Sequence, residues 1–209
     1  MKNFDENEYN KFATKLSENR LKSIKRMNLK SGDWKQYEKP LIADIKYFGT
    51  LDGEGIRHSI YVTGCMFNCS DCYNKLIQTQ SNGYPFTDEM EDRLIKSLTL
   101  SHVSGITYVG GEPFLNTSLL NSLTKRIKNE TIGKTIWCYT GFLFETILEH
   151  GSKEQLELLK DIDVLIDGQY IKELRDESNL PTYRGSSNQR LIDVKKSLEE
   201  EKTVIYNLE

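Results

Sequence analysis

No apolar run in the 209 residues approaches the about 20 needed to span a bilayer, so no transmembrane helix is expected. Nor does an apolar stretch follow the opening Met-Lys-Asn-Phe-Asp-Glu. No secretory signal and no membrane partner are therefore expected, and the location expected is cytoplasmic. The chain also lacks a basic excess. Its formal net charge is −3 and its pI about 5.8, which leaves no general footprint for nucleic acid. Internal repeats and low-complexity tracts are absent as well. Cysteine is scarce, with four in all. Three crowd into one loop and the fourth stands far downstream, which makes a poor disulfide framework.

Those three are Cys65, Cys69 and Cys72, spaced Cys-x3-Cys-x2-Cys. A short loop of this kind can aim three thiolates at one centre and leave a fourth corner open. Three readings compete. Structural zinc wants four protein ligands, commonly with a second Cys or His pair at typical spacing. Cys138, His58, His102 and His150 supply no such pair. Inert buried thiols are a second reading, against which Asn68, Ser70 and Asp71 make the loop polar. The third is an iron–sulfur cluster with one iron left free for a non-protein ligand. Cys138, in Ile136-Trp137-Cys138-Tyr139, reads as a buried strand residue.

Along the chain, residues 1–40 differ from the rest. They hold ten Lys or Arg against six Asp or Glu, a local excess of +4. Tyr9, Phe12, Leu16 and Ile24 recur at roughly helical spacing, so 1–40 is expected to be a charged, helical N-terminal extension. Residues 41–209 form the main domain. Strands are expected at Leu41–Phe48, His58–Thr63, Ile106–Val109, Thr135–Tyr139 and Val164–Ile166. Helices are expected after a Thr87 cap, with Met90, Leu94 and Leu98 on the apolar side, and at Leu119–Ile127, Phe142–His150 and Gln155–Lys160. Alternating strands and helices predict an α/β fold with a largely parallel sheet. Ligands in such folds sit beyond the carboxyl ends of the strands. The cysteine loop, Gly110-Gly111-Glu112 and Thr140-Gly141 all follow strand ends, so one pocket is expected to gather them.

The Cys-x3-Cys-x2-Cys loop, with Gly110-Gly111-Glu112-Pro113 downstream, resembles the radical S-adenosylmethionine superfamily. Asp52-Gly53-Glu54-Gly55-Ile56-Arg57 before the loop and Cys72-Tyr73-Asn74 at its end look like the glycyl-radical-enzyme activases. Further strings are Trp137-Cys138-Tyr139-Thr140-Gly141-Phe142, Asp163-Val164-Leu165-Ile166-Asp167-Gly168 and Tyr183-Arg184-Gly185-Ser186-Ser187-Asn188-Gln189. With these the chain, from about residue 41 to about residue 200, is similar to the activating proteins of anaerobic (class III) ribonucleoside-triphosphate reductases.

The resemblance implies a partial (β/α) barrel and one 4Fe-4S cluster held by Cys65, Cys69 and Cys72. S-adenosylmethionine would bind at the open iron. Its reductive cleavage would yield a 5′-deoxyadenosyl radical that makes a glycyl radical on the large reductase subunit. Asp71, Cys72, Tyr73 and Asn74 are expected to line the cosubstrate pocket. Gly110 and Gly111 would allow a close backbone approach, and Glu112 would accept from the methionine ammonium group. Thr140 and Asp167 are weaker candidates for the ribose or the methionine. Arg57, Arg184 and Asn188 could recognise a partner or a carboxylate, or merely build turns. A flavodoxin-like electron donor would be usual, and apolar surface is expected around the mouth. A pyruvate formate-lyase-type activase and a 7-carboxy-7-deazaguanine synthase are the nearest alternatives. A zinc-stabilised binding module is the alternative from another class.

Overall fold

A computed structural model describes residues 36–175 and 182–208. The expected helix over Tyr9, Phe12, Leu16 and Ile24 lies outside them. The described residues form one six-stranded sheet in chain order, β1 (Ile42–Gly49), β2 (Ile56–Val62), β3 (Val103–Gly110), β4 (Thr135–Tyr139), β5 (Val164–Asp167) and β6 (Arg190–Asp193). The pairs from β2 to β5 are parallel, and both edge pairs, β1–β2 and β5–β6, are antiparallel. The sheet is thus mixed, and β1 and β6 are its outermost strands, each met by one further bridge, Ile42 with Tyr84 and Ile192 with Ile205. The expectation of a largely parallel sheet holds for its centre only.

Among the described residues there are five α-helices: α1 (Asp88–Leu98), α2 (Thr117–Glu130), α3 (Phe144–His150), α4 (Lys153–Asp161) and α5 (Val194–Glu199). None is long and apolar enough to cross a membrane. Helix α1 starts where the sequence places it. Thr87 Oγ1 accepts from Met90 N at 3.3 Å, and Asp88, Glu89 and Glu91 occupy the first turn, where acids complement the helix dipole. Helix α4 opens on a capping box between Ser152 and Gln155.

The crossovers through α1, α2 and α3–α4 each step one strand the same way. Right-handed crossovers taken in one direction lay their helices on one face of the sheet. The core agrees: Ile60, Ile106, Tyr108, Ile136 and Leu165 of the sheet pack with Leu94, Leu98, Leu120, Leu123 and Leu158 of the helices. Strand side chains alternate between faces. The opposite face therefore carries a second cluster of Trp137, Val164, Ile166 and Leu191, rimmed by Tyr139, Tyr183 and Tyr206.

Candidate functional site at the carboxyl ends of the strands

The carboxyl ends of β2 to β5 surround an open cavity of about 770 Å³. Cys65, Cys69, Cys72, Glu112, Thr140 and Gly141 all line it, so the three strand-end motifs meet in one place. The cysteine loop leaves β2 through Gly64, whose φ of +83° lies in the left-handed region. Asn68 and Asp71 also take positive φ, which short polar side chains tolerate best after glycine. The loop is pinned on both flanks. Gly64 N donates to Ile77 O at 2.8 Å and Cys65 N to Gln78 O at 2.9 Å. Asn74 Nδ2 donates to Gly110 O at 3.1 Å, tying the loop's exit to β3.

None of the three cysteines is in a disulfide, and all are half-buried. Burial, then Glu112, push the Cys65 thiol up to about 12. A positive centre beside it would reverse that, because metal ligation deprotonates a thiol. Among the described residues, no three His, Cys, Asp or Glu side chains are gathered closely enough for a single metal ion. A lone zinc needs four ligands at about 2.3 Å for sulfur. A cluster takes one thiolate per iron and accepts a wider set, so these residues fit an iron–sulfur cluster better than zinc. Cys138 is buried on the helix face, away from the cavity, as expected of a strand residue.

Gly110 and Gly111 have a reason to be glycine that does not involve a ligand. A Cβ on Gly110 would lie 2.5 Å from Val62 O, and one on Gly111 2.2 Å from Gly64 O. Their bareness lets β3 close on the start of the cysteine loop, where Gly111 N donates to Val62 O and Glu112 N to Gly64 O, both at 2.7 Å. The Glu112 side chain is 1% exposed. Its Oε1 accepts from Phe114 N at 3.0 Å and Thr140 Oγ1 at 2.8 Å, and its Oε2 from Gly141 N at 2.8 Å. Burial outweighs these donors and pushes its carboxyl up to about 7. Thr140 is thus spoken for by Glu112. Phe67 of the cysteine loop covers Gly141 and meets Phe142 edge-on at 4.7 Å.

Tyr73 is exposed and stands under the Arg175 guanidinium, 4.9 Å from the ring centroid. Asp71 pairs with Lys172. The segment after β5 therefore grips the cysteine loop at two points. The Arg184–Gln189 string folds into a turn of its own. Gln189 Oε1 accepts from Gly185 N at 2.8 Å, its Nε2 donates to Gly168 O at 2.9 Å, and Asn188 Nδ2 donates to Gln169 O at 2.8 Å. Asn188 thus builds the turn, while Arg184, Gly185 and Gln189 face the cavity.

Two sequence candidates lie elsewhere. Arg57 points into the opposite face near the amino end of β2. It is 1% exposed and donates to Thr107, Thr135, Glu54 and Ile106. Of the roles left open for it, the structure gives Arg57 that of a buried structural tie: every arm of the fork is occupied. Asp167 is fully buried and accepts from Phe144 N at 2.8 Å and Arg190 Nε at 2.9 Å, so it caps α3 and does not line the cavity. The sequence reading also missed several wall residues. Asp52 Oδ2 accepts from Ser59 Oγ at 2.6 Å and Tyr61 Oη at 3.0 Å, and Lys46 Nζ sits 4.6 Å from the Tyr61 ring centroid. The alternation of Arg57, Ser59 and Tyr61 along β2 was the signal that could have placed them on one face.

Residues 51–192 match the family described as a 4Fe-4S single cluster domain. Curated relatives share the same region. An anaerobic ribonucleoside-triphosphate reductase-activating protein of enterobacteria phage T4 is 39% identical over 146 residues, covering 68% of this chain and 86% of that protein. Proteins of the same name from Salmonella typhi and Escherichia coli K12 are 37% and 36% identical over 143 residues, covering 66% of this chain and 89% of each.

Proposed function

Because the chain belongs to the anaerobic ribonucleoside-triphosphate reductase-activating proteins and carries their 4Fe-4S single cluster domain, we propose that it activates such a reductase by generating a glycyl radical on it. The observation that carries this reading is the meeting of three cysteines, none of them in a disulfide, with Gly110-Gly111-Glu112 and Thr140-Gly141 in one open cavity. In this reading Cys65, Cys69 and Cys72 hold the cluster, and Asp71, Tyr73, Asn74, Gly110, Gly111, Glu112 and Thr140 shape the place of S-adenosylmethionine. When bound, the cluster supplies one electron, which cleaves the sulfonium to methionine and a 5′-deoxyadenosyl radical.

The chain's own residues position and insulate. Asn74 and the Gly111 and Glu112 amides lock the cysteine loop against β3. Glu112, buried and acceptor-rich, orients Thr140 and Gly141 on the far wall. Its remaining lone pair is what an ammonium group could use. Leu51, Tyr73 and Leu76 are 84%, 70% and 80% exposed on or beside the cysteine-bearing end. Exposed apolar side chains of that size suit a protein partner, here the glycine-bearing loop of the reductase. A flavodoxin-like carrier is the proposed electron donor. The cytoplasm is the proposed location, since free cysteines persist in a reducing compartment. The sequential strand order with crossovers in one direction supports a partial (β/α) barrel.

Anaerobic reconstitution with iron and sulfide tests the reading. The chain should take up about four irons and, with S-adenosylmethionine, reductant and reductase, give a glycyl-radical resonance on the reductase alone. C65A, C69A and C72A should each abolish it. Stoichiometric zinc without sulfide, or 7-carboxy-7-deazaguanine formed without a protein partner, would overturn the proposal.

A further inference from the structure

Two residues upstream of the region that matches the cluster-domain family reach the back of the cysteine loop. Gln36 acts as a clamp. Its Nε2 donates to Phe114 O at 2.8 Å, and its Oε1 accepts from Thr117 Oγ1 at 2.7 Å and Thr117 N at 3.3 Å. Tyr37 N then donates to Leu115 O at 3.0 Å. Together they fasten the incoming chain to the turn that follows Gly110-Gly111-Glu112.

The Tyr37 ring continues from that anchor onto Gly64. A Cβ on Gly64 would lie 2.4 to 2.5 Å from the Cε2, Cζ and hydroxyl atoms of Tyr37. The phenol end therefore rests on the Cα of the residue before the first cysteine. Backbone also holds Gly64: its N–H donates to Ile77 O and its carbonyl accepts from Glu112 N. As a glycine at a left-handed φ, without a Cβ to confine it, it has more conformations to escape to than any other residue would have.

We propose that Tyr37 is a positioning residue for the first cluster thiolate: its ring seats the Gly64–Cys65 step from behind, with Gln36 holding it in place. The proposal rests on the reading that Cys65, Cys69 and Cys72 hold a cluster. Residues that orient metal ligands affect metal retention strongly without touching the metal. Here the contact that matters is the ring, not the hydroxyl.

The test uses the full chain, reconstituted anaerobically as wild type, Y37F, Y37A and Q36A. Iron release to a chelator and the resonance of the reduced cluster are the readouts, with the thermal transition of each apo form alongside. Y37A should release iron about tenfold faster than wild type, with an altered resonance, and Q36A should fall between them. Y37F keeps the ring and should match wild type. A merely structural role would lower the apo transition and leave release unchanged; that result, or Y37F releasing iron as fast as Y37A, overturns the proposal. If Y37A fails to fold, Q36A at the wild-type rate overturns it too. A wild type that takes up no cluster sinks the functional reading instead, so the two failures are distinct.

Discussion

Glu112 shows how one side chain can be legible in sequence while its work is not. Its motif marks it, but its partners Thr140 and Gly141 lie 28 and 29 residues away and meet it only because β3 and β4 are neighbours. Burial raises its carboxyl from the ordinary 4.5 to about 7. Between those values the folded chain binds more protons than the unfolded one, so its stability falls as pH rises. The contribution is present in full below about 4.5 and lost as pH passes about 7. His58, whose pKa burial lowers, acts in the opposite direction, so the comparison with E112Q isolates the carboxyl. Glutamine would set its amide against one of the three donors, at about 1–3 kcal/mol. Urea unfolding of the apo forms should find E112Q less stable near about pH 5, with the gap narrowing toward about pH 8 as the wild-type carboxylate ionises in its burial. A constant gap across that range would contradict the assignment. Arg57 teaches the converse. It belongs to a recognisable string and shares the face of β2 with the cavity residue Tyr61, yet its place at the amino end of the strand keeps it from the cysteines and gives its donors to Thr107, Thr135 and Ile106.

At the scale of elements, starts with local chemistry were readable and ends made by distant residues were not. Thr87 caps α1 from three residues away, so the sequence shows it. Helix α3 was expected from Phe142 but begins at Phe144. The Phe144 amide is taken by Asp167 of β5, and Phe142 O by Gly168 N. Strand β6 and helix α5 were not anticipated. Four-residue Arg190–Asp193 carries little pattern, and it is made a strand by pairing with β5. That pairing carries an ion pair that is buried on its Asp167 side and partly exposed at Arg190. Arg190 joins Asp167 to Glu145, and hydrogen bonds from Arg190 and Thr203 overcome the upward push of burial to hold Glu145 at about 2. The guanidinium stays charged between two carboxyls. R190M would leave Asp167 buried without its cation; removing one partner of a fully buried pair costs about 3–5 kcal/mol, an upper bound here because the Arg190 side chain is 32% exposed. The urea midpoint of R190M at neutral pH should drop accordingly, and D167N in the same background should recover part of the loss. An unchanged midpoint would mean that Asp167 is neutral in the fold.

For the whole molecule, alternation of strands and helices was enough to put three motifs at one end of a sheet, because parallel strands share a carboxyl end. The antiparallel edges and the exposed rim were beyond it, since neither has a periodic signature. The rim is where a partner would be read. Leu76 sits in the turn Lys75–Gln78, three residues past Tyr73, with its side chain in water and no part in lining the cavity. An aspartate there removes apolar contact and adds charge at little cost to folding, since exposed substitutions usually stay within about 0.5 kcal/mol. A contact central to an interface, by contrast, is worth about 2 kcal/mol or more. L76D should therefore cleave S-adenosylmethionine at the wild-type rate when the reductase is left out. With the reductase present, the glycyl-radical yield at limiting protein should fall by about tenfold or more, as such a loss implies. Raising the reductase concentration should restore it, because the defect is in docking and not in chemistry. If yield and concentration dependence both match wild type, the partner approaches from the Leu51 side of the mouth and leaves Leu76 in solvent.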